Sequence, residues 1–306
     1  MDLGSDICVL APSVLYTVTV ESKADGSPEV HFHAGGQGFW VARMAMTLGG
    51  RITLCAPIGG ESGLVVRTLI ETSGILLKAV SSESWNGGYV HDRRSGERAE
   101  IVEIEEPVLR RHEIDSLVDS TLALAGDNRV LVLTAPRNPA TIPASVYPKL
   151  AKNAAKLGCR VAADLSGECL AALTGIDVLK VAHNEAIDAG FARGDSLPEL
   201  LDGAHELRAR GHRTVIVSRG GEPALAVWDD GAFLVHVPEL DAADTRGAGD
   251  SMTGAIAVGL AGGLETPELV RLAAAAGAMN VTRHGLGSGN RDFVEVLVKR
   301  VTLERI

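Results

Sequence analysis

Short runs of aliphatic residues alternate with helix-patterned segments along almost the whole chain, and that rhythm admits few folds. A strand over residues 7–11 opens it. A helix over 37–48, ended by Gly49-Gly50, then leads to a strand over 51–57, a helix over 61–72 and a strand over 75–80. From residue 113 the order is helix, strand (130–134), helix (143–157), strands (160–164 and 177–181), then a helix and a strand over 213–218. Two short strands, 224–228 and 233–237, precede three helices starting near 248, 267 and 292, so helices are expected to close the chain. Strands joined by helical crossovers lie parallel and are covered on both faces, which predicts an α/β fold with a mainly parallel central sheet.

Two stretches break the rhythm. Residues 16–20 and 29–33, and again 89–92 and 98–103, alternate polar with apolar side chains around turn-rich links, the pattern of hairpins with one solvated face. These predict a small β-sheet lid, made from about 15–33 and 85–104, on a single domain spanning 1–306; the cleft between lid and body is the expected ligand site. The 306 residues include 35 glycines and only 4% aromatics, which suits helices and strands in close approach.

With 29 Lys plus Arg against 39 Asp plus Glu, the net charge is −10, and no basic tract tracks a phosphodiester backbone; a nucleic-acid partner is not expected. Cys8, Cys55, Cys159 and Cys169 form no C-x-x-C pair and read as reduced core thiols of a cytoplasmic protein. The chain has no signal-peptide pattern at its start and no apolar stretch long enough to span a bilayer, so a soluble protein is expected. The fingerprints G-x-G-x-x-G after the first strand and G-x-x-x-x-G-K-[ST] are both missing, which argues against a dinucleotide-dependent oxidoreductase and a P-loop enzyme.

Phosphate chemistry must then use another cradle. Asp244-Thr-Arg-Gly-Ala-Gly-Asp250 runs a loop of minimal side chains into an Ala-rich helix. A helix N-terminus offers unpaired N–H groups and partial positive charge, so Gly247, Ala248 and Gly249 are candidates for an anion hole. Asp250, in the first turn, would reach an acceptor hydroxyl and take its proton. Taken alone, the four residues also read as a tight turn with an N-capping Asp.

The same segment resembles the second signature of the ribokinase-like (PfkB) carbohydrate kinases. Gly35-Gly-Gln-Gly38 with Val41-Ala-Arg43 and Leu48-Gly49 is similar to their first signature, and Ala56-Pro-Ile-Gly59 to a turn that follows it. Ser218-Arg-Gly-Gly-Glu-Pro-Ala-Leu225 resembles the nucleotide-side loop, Asp164-Leu-Ser-Gly167 a mid-chain strand end, and residues 275–287 the stretch beside the adenosine pocket. The Val-Ala-Arg helix and the tail from Asn280 through His284 and Gly285 to Gly287 place it nearest the phosphofructokinase and tagatose-phosphate kinase branch. The resemblance implies a ribokinase-like three-layer fold, ATP with Mg2+, Asp250 as base and Gly247 to Gly249 as anion hole. It also implies nucleotide contacts from Ser218, Gly220, Asn280 and Arg246, and a magnesium-organising carboxylate at Glu185, acting through water. The acceptor side would include Gly35, Gly36, Gln37, Trp40 and Arg137, and the lid would join two copies of the chain.

Departures from the family pattern collect on that acceptor side. Leu15 stands where a sugar-binding Asp is usual, Gln37 where Lys is frequent, Phe39-Trp40 where a polar residue is usual, and Asn86-Gly87-Gly88 where Thr-Arg is common. Arg43, Arg137 and Arg246 remain as anchors, and Trp40 reads equally as a packing ring or a sugar platform. Lys180-Val-Ala-His-Asn-Glu185 carries Ala182 in place of the family's Asn, with Asn184 nearby. His31 and His33 share one lid face but lack a third ligand, so a metal site there is not expected. Two readings follow: an active kinase for a sugar or sugar phosphate, or a nucleotide-binding regulator or atypical kinase that has lost ordinary sugar recognition.

Overall fold

The computed structural model describes residues 6–96, 99–283 and 286–306, so the predicted strand start at Arg98 and the His284-Gly285 part of the tail lie outside the described residues. Seven strands form the parallel core of one large sheet. In chain order they are β1 (Ile7–Leu10), β4 (Ile52–Gly59), β5 (Leu76–Ser82), β8 (Val130–Thr134), β9 (Arg160–Asp164), β10 (Val178–Ala182) and β11 (Thr214–Arg219). Three antiparallel strands, β12 (Glu222–Trp228), β13 (Gly231–His236) and β14 (Thr302–Arg305), extend it to ten, in the order β14-β13-β12-β11-β10-β9-β8-β1-β4-β5. The predicted helical close is therefore corrected: after the last helix the chain returns as β14 and pairs with β13. Its four residues, Thr-Leu-Glu-Arg, are too short and too polar to stand out as a strand in the sequence.

The strands are apolar on both faces, and a period of two sorts them. Ile7 and Val9 of β1, with Val130 and Val132 of β8, enter one core. Cys8, Leu10, Leu131 and Leu133 enter the other. The first core is covered by α1 (Gln37–Thr47), α2 (Gly60–Thr72), α8 (Ala248–Ala261), α9 (Thr266–Val281) and α10 (Arg291–Val298). The second is covered by α3 (Arg111–Asp127), α4 (Val146–Lys156), α5 (Gly167–Ala172), α6 (His183–Asp188) and α7 (Leu197–Ala209). The short α5 and α6 lack an amphipathic repeat, which is why periodicity does not reveal them.

A second sheet of four strands has the order β3-β2-β6-β7, from β2 (Leu15–Ser22), β3 (Pro28–Gly35), β6 (Gly88–Asp92) and β7 (Ala99–Ile104). Its register aligns His33, Thr17, Tyr89 and Glu103 across all four strands, and His31, Thr19 and His91 beside them. The opposite face carries Phe32, Val18, Val90 and Val102. Arg137, which follows β8 in the body, lies over the Tyr89 ring at 5.0 Å and pairs with Glu103 at 2.5 Å. The histidine-bearing face therefore looks toward the body, and the apolar face looks away.

Candidate active site

Parallel strands all deliver their C-terminal ends to one edge, and helix α8 begins there. Gly247 caps it with φ 75°, a left-handed conformation that a residue with a Cβ resists. The N–H groups of the first turn have no partner within the helix. Upstream, Asp244 receives the Arg246 backbone N–H at 3.0 Å and its guanidinium at 2.6–3.2 Å. Arg246 is thus ion-paired inside its own loop while its side chain stays half-exposed.

Asn280 is likewise spent within the protein. It is 1% exposed, and its Nδ2 donates to the Arg246 carbonyl at 2.7 Å. Its Oδ1 accepts from Ser251 Oγ at 3.1 Å and from Gly287 N at 3.0 Å. With both amide atoms occupied, it positions the loop that leads into α8.

Beneath that helix lies a charge cluster that sequence reading only grazed. Lys180, buried in the apolar run of β10, holds Asp164 at the end of β9 through contacts of 3.1 and 3.2 Å. Thr253 Oγ1 donates to the same carboxylate at 2.8 Å. A Cβ at Gly249 would lie 2.4 Å from Lys180 Nζ, so a substitution there must displace that ammonium from its place beside Asp164. A lysine inside an otherwise aliphatic strand is the signal that could have found this site, since buried charges require partners.

Burial pushes the Asp250 carboxyl up to about 7, with Asp164 and Glu185 adding to the rise and Lys180 opposing it. Burial also raises Glu185, reinforced by Asp164 and opposed by Lys180 and by the Ala182 N–H, which donates to Glu185 at 2.8 Å. A carboxyl poised near neutrality at a helix N-terminus can exchange a proton at working pH. Ser218 and Gly220 sit at the β11–β12 turn, where Gly220 is exposed with φ 63° and the Ser218 carbonyl meets His183 Nδ1 at 3.3 Å. Asn184 is exposed, while Ala182 contributes only its backbone.

The acceptor end differs in kind. Gly35 ends β3, and Gly36 (φ 101°) passes so close to the link between β1 and β2 that a Cβ would meet the Ser13 carbonyl at 2.6 Å. Gln37 accepts from the Ala135 N–H at 2.9 Å through its amide oxygen, joining α1 to the end of β8. Trp40 meets Phe39 edge-on at 4.9 Å and has Arg43 over its ring at 5.8 Å. Arg43 also donates to the Leu286 carbonyl at 3.2 Å. Asn86 is a buried pin, bonded to Gly59, Val14 and Pro57 at 3.0–3.1 Å. Arg137 lies at the cleft, but Glu103 matches its charge.

A sheet covered on both faces, with a glycine-led helix terminus and a buried Lys–Asp pair at its C-terminal edge, defines a ribokinase-like α/β protein. The chain belongs to the pfkB family of carbohydrate kinases, whose model matches residues 10–292. It is similar to the ATP-dependent 6-phosphofructokinase isozyme 2 of Mycobacterium tuberculosis, at 28% identity over 299 residues, covering 96% of this chain and 85% of that protein. The 1-phosphofructokinase of Bacillus subtilis is 26% identical over 305 residues, covering 97% and 98%. The solved structure of Escherichia coli phosphofructokinase-2 in complex with potassium superposes with a TM-score of 0.85 at 26% identity, covering 97% and 99%. This protein is accordingly an ATP-dependent carbohydrate kinase.

Proposed function

We propose that the chain moves the γ-phosphoryl group of ATP to a hydroxyl of a sugar or sugar phosphate, with Asp250 as general base and the backbone of Gly247, Ala248 and Gly249 as the anion hole. The observation that carries this reading is the placement of Asp250 in the first turn of α8, next to the left-handed Gly247 cap and above the buried Lys180–Asp164 pair; burial pushes its carboxyl up to about 7. Asp250 takes the proton of the attacking hydroxyl while the helix terminus receives the equatorial phosphoryl oxygens. Lys180 and Asp164 fix the floor under that turn.

The Glu185 carboxylate is a hard oxygen donor that suits Mg2+, which favours carboxylates, water and phosphates over a complete protein cage. Bound there through water, the ion would screen the charge of the phosphates. Among the described residues no group of three or more His, Cys, Asp or Glu is placed to hold a metal ion by itself. Ser218 and Gly220 border the nucleotide side.

The lid segments 15–33 and 85–104 belong with the rest as one kinase domain, and the outward face joins a second copy. Phe32 (53% exposed) and Val30 (50%) leave that face in need of cover. All four cysteines are free thiols, which suits a cytoplasmic setting. Among the described residues no helix is long and apolar enough to cross a membrane.

The test is ADP release from ATP and Mg2+ against a panel of free sugars and sugar phosphates. Failure of every carbohydrate to stimulate ADP release, in protein shown to be folded, would remove this reading.

A further inference from the structure

The edge of the large sheet opposite the reactive one carries two adjoining hollows of about 320 and about 280 Å3, which share Gly158 and Arg160. Arg129 and the end of α8 at Ala261 to Gly263 wall the first, and Arg213 with Asp177 walls the second. The strand order β11-β10-β9-β8 sets Arg129, Arg160 and Arg213 in a row along this edge, at the starts of β8, β9 and β11. Their registers put them within about one residue of the same level, and strands about 4.8 Å apart place the outer two about 14 Å from each other.

Basic residues at this edge have an ordinary use, because helices end here and their last carbonyls carry partial negative charge. Arg129 serves it: its Nη1 donates to the Ala261 carbonyl at 3.2 Å, and Asp6 lies 3.6 Å from its Nε. Arg213 stands 3.7 Å from Asp177, whose second oxygen accepts the Val161 N–H at 2.9 Å. Arg160 does neither. It is exposed, and among the described residues its side chain has no carboxylate and no carbonyl partner.

The space around it is open. Gly158 and Gly175 in the walls have φ of 83° and 65°, and a Cβ on either would meet nothing within 4 Å. Three guanidiniums against the carboxylates of Asp6 and Asp177 leave this row net positive on a chain whose net charge is −10. We infer that the row is an anion-binding site, remote from the cleft, for a small molecule that carries two or more phosphate or carboxylate groups, with Arg160 as its central contact. One anionic group sits between Arg129 and Arg160 in the first hollow, and the next reaches toward Arg213 in the second, each meeting a planar fork of donors that suits oxyanions. A ligand seated there touches the far end of α8, about 18 Å along the helix from Asp250, and the start of β9, whose last residue is Asp164.

The test is calorimetric titration of tripolyphosphate and of citrate into protein whose cleft is saturated with a non-hydrolysable ATP analogue, in wild type, Arg160→Ser and Arg213→Ser. Wild type should bind at least one of the two probes with a Kd of about 1 mM or tighter, and the tighter of them names the anion class. Loss of the Arg160 guanidinium should weaken that binding at least about tenfold, the scale of one charge-assisted hydrogen bond, while affinity for the ATP analogue stays within about twofold. No binding of either probe by about 10 mM, or wild-type affinity in Arg160→Ser, overturns the inference. If Arg160→Ser does not fold, Arg213→Ser decides, since that side chain is 81% exposed: weakening by about threefold or more is expected, and unchanged affinity overturns the inference. ADP release tests the kinase reading separately, so either can fail alone.

Discussion

The two ends of the cleft are built from different materials. At the phosphoryl end the functional groups are backbone N–H groups of α8 and carboxylates locked by a buried ion pair, with Lys180 and Asp164 6% and 1% exposed at the side chain. At the acceptor end the groups are side chains of the lid strands and of the helix and loops beside them, reachable by single substitutions. Chemistry is held by architecture at one end, and recognition by side-chain choice at the other. The phosphoryl end should therefore fail abruptly when altered and the lid end by degrees.

The hardest blow to this contrast would come from Asp250→Asn. Loss of the base should lower kcat by about 10²–10⁴-fold, with the KM for ATP nearly unchanged, in steady-state assays with whichever carbohydrate proves active. Retention of full turnover would show that the reactive end does not depend on its carboxyl.

Lys180→Met should be next. It leaves Asp164 buried without its partner, at a cost of about 3–5 kcal/mol in urea unfolding. Because Lys180 lowers the Asp250 carboxyl, the same substitution should move the acid limb of activity to higher pH in any protein that remains folded.

In the wild-type enzyme kcat/KM should climb with pH through about 7 as Asp250 ionises, and the Asn variant should lack that limb. The stability effect has the opposite sign. A carboxyl raised from 3.8 to about 7 favours the folded state at low pH, and that contribution is lost as pH rises between those values. Asp250→Asn should accordingly raise the melting temperature relative to wild type more at pH 8 than at pH 5. Equal shifts at both values would argue against a strained carboxyl.

The smallest effect belongs to the lid end. Arg137→Ala removes a charge that Glu103 already balances at a half-exposed site, so acceptor KM should change by less than about threefold. A loss of a hundredfold would mean that Arg137 itself grips the substrate, and the contrast between the ends would blur.

Much of this is legible in the sequence itself. The βαβ order reads from apolar runs, and the start of α8 from its Gly-Ala-Gly-Asp loop, because both are local patterns. Strand β14 was not legible, since its four residues become a strand only by pairing with β13. The partnership of Lys180 with Asp164 joins residues 16 positions apart on adjacent strands, and no local pattern announces it. The burial of Glu106 beside the cleft is not legible for a related reason. Nothing in Ile104-Glu-Glu-Pro107 says which glutamate turns inward; the loop after β8 decides that with the N–H groups of Arg137 and Asn138.

Asn280 has a consequence for how substitutions combine. One amide joins the carbonyl before the α8 cap, a hydroxyl in its first turn and the N–H of Gly287 on the C-terminal loop. Changes made on either side of it will not sum as independent increments. A substitution that loosens residues 286–287 should alter the penalty of one at Gly247, whose Cβ position already abuts Leu286 at 3.0 Å. For anyone evolving this enzyme toward a new acceptor, the lid can be searched one position at a time, but the two loops tied by Asn280 must be varied together.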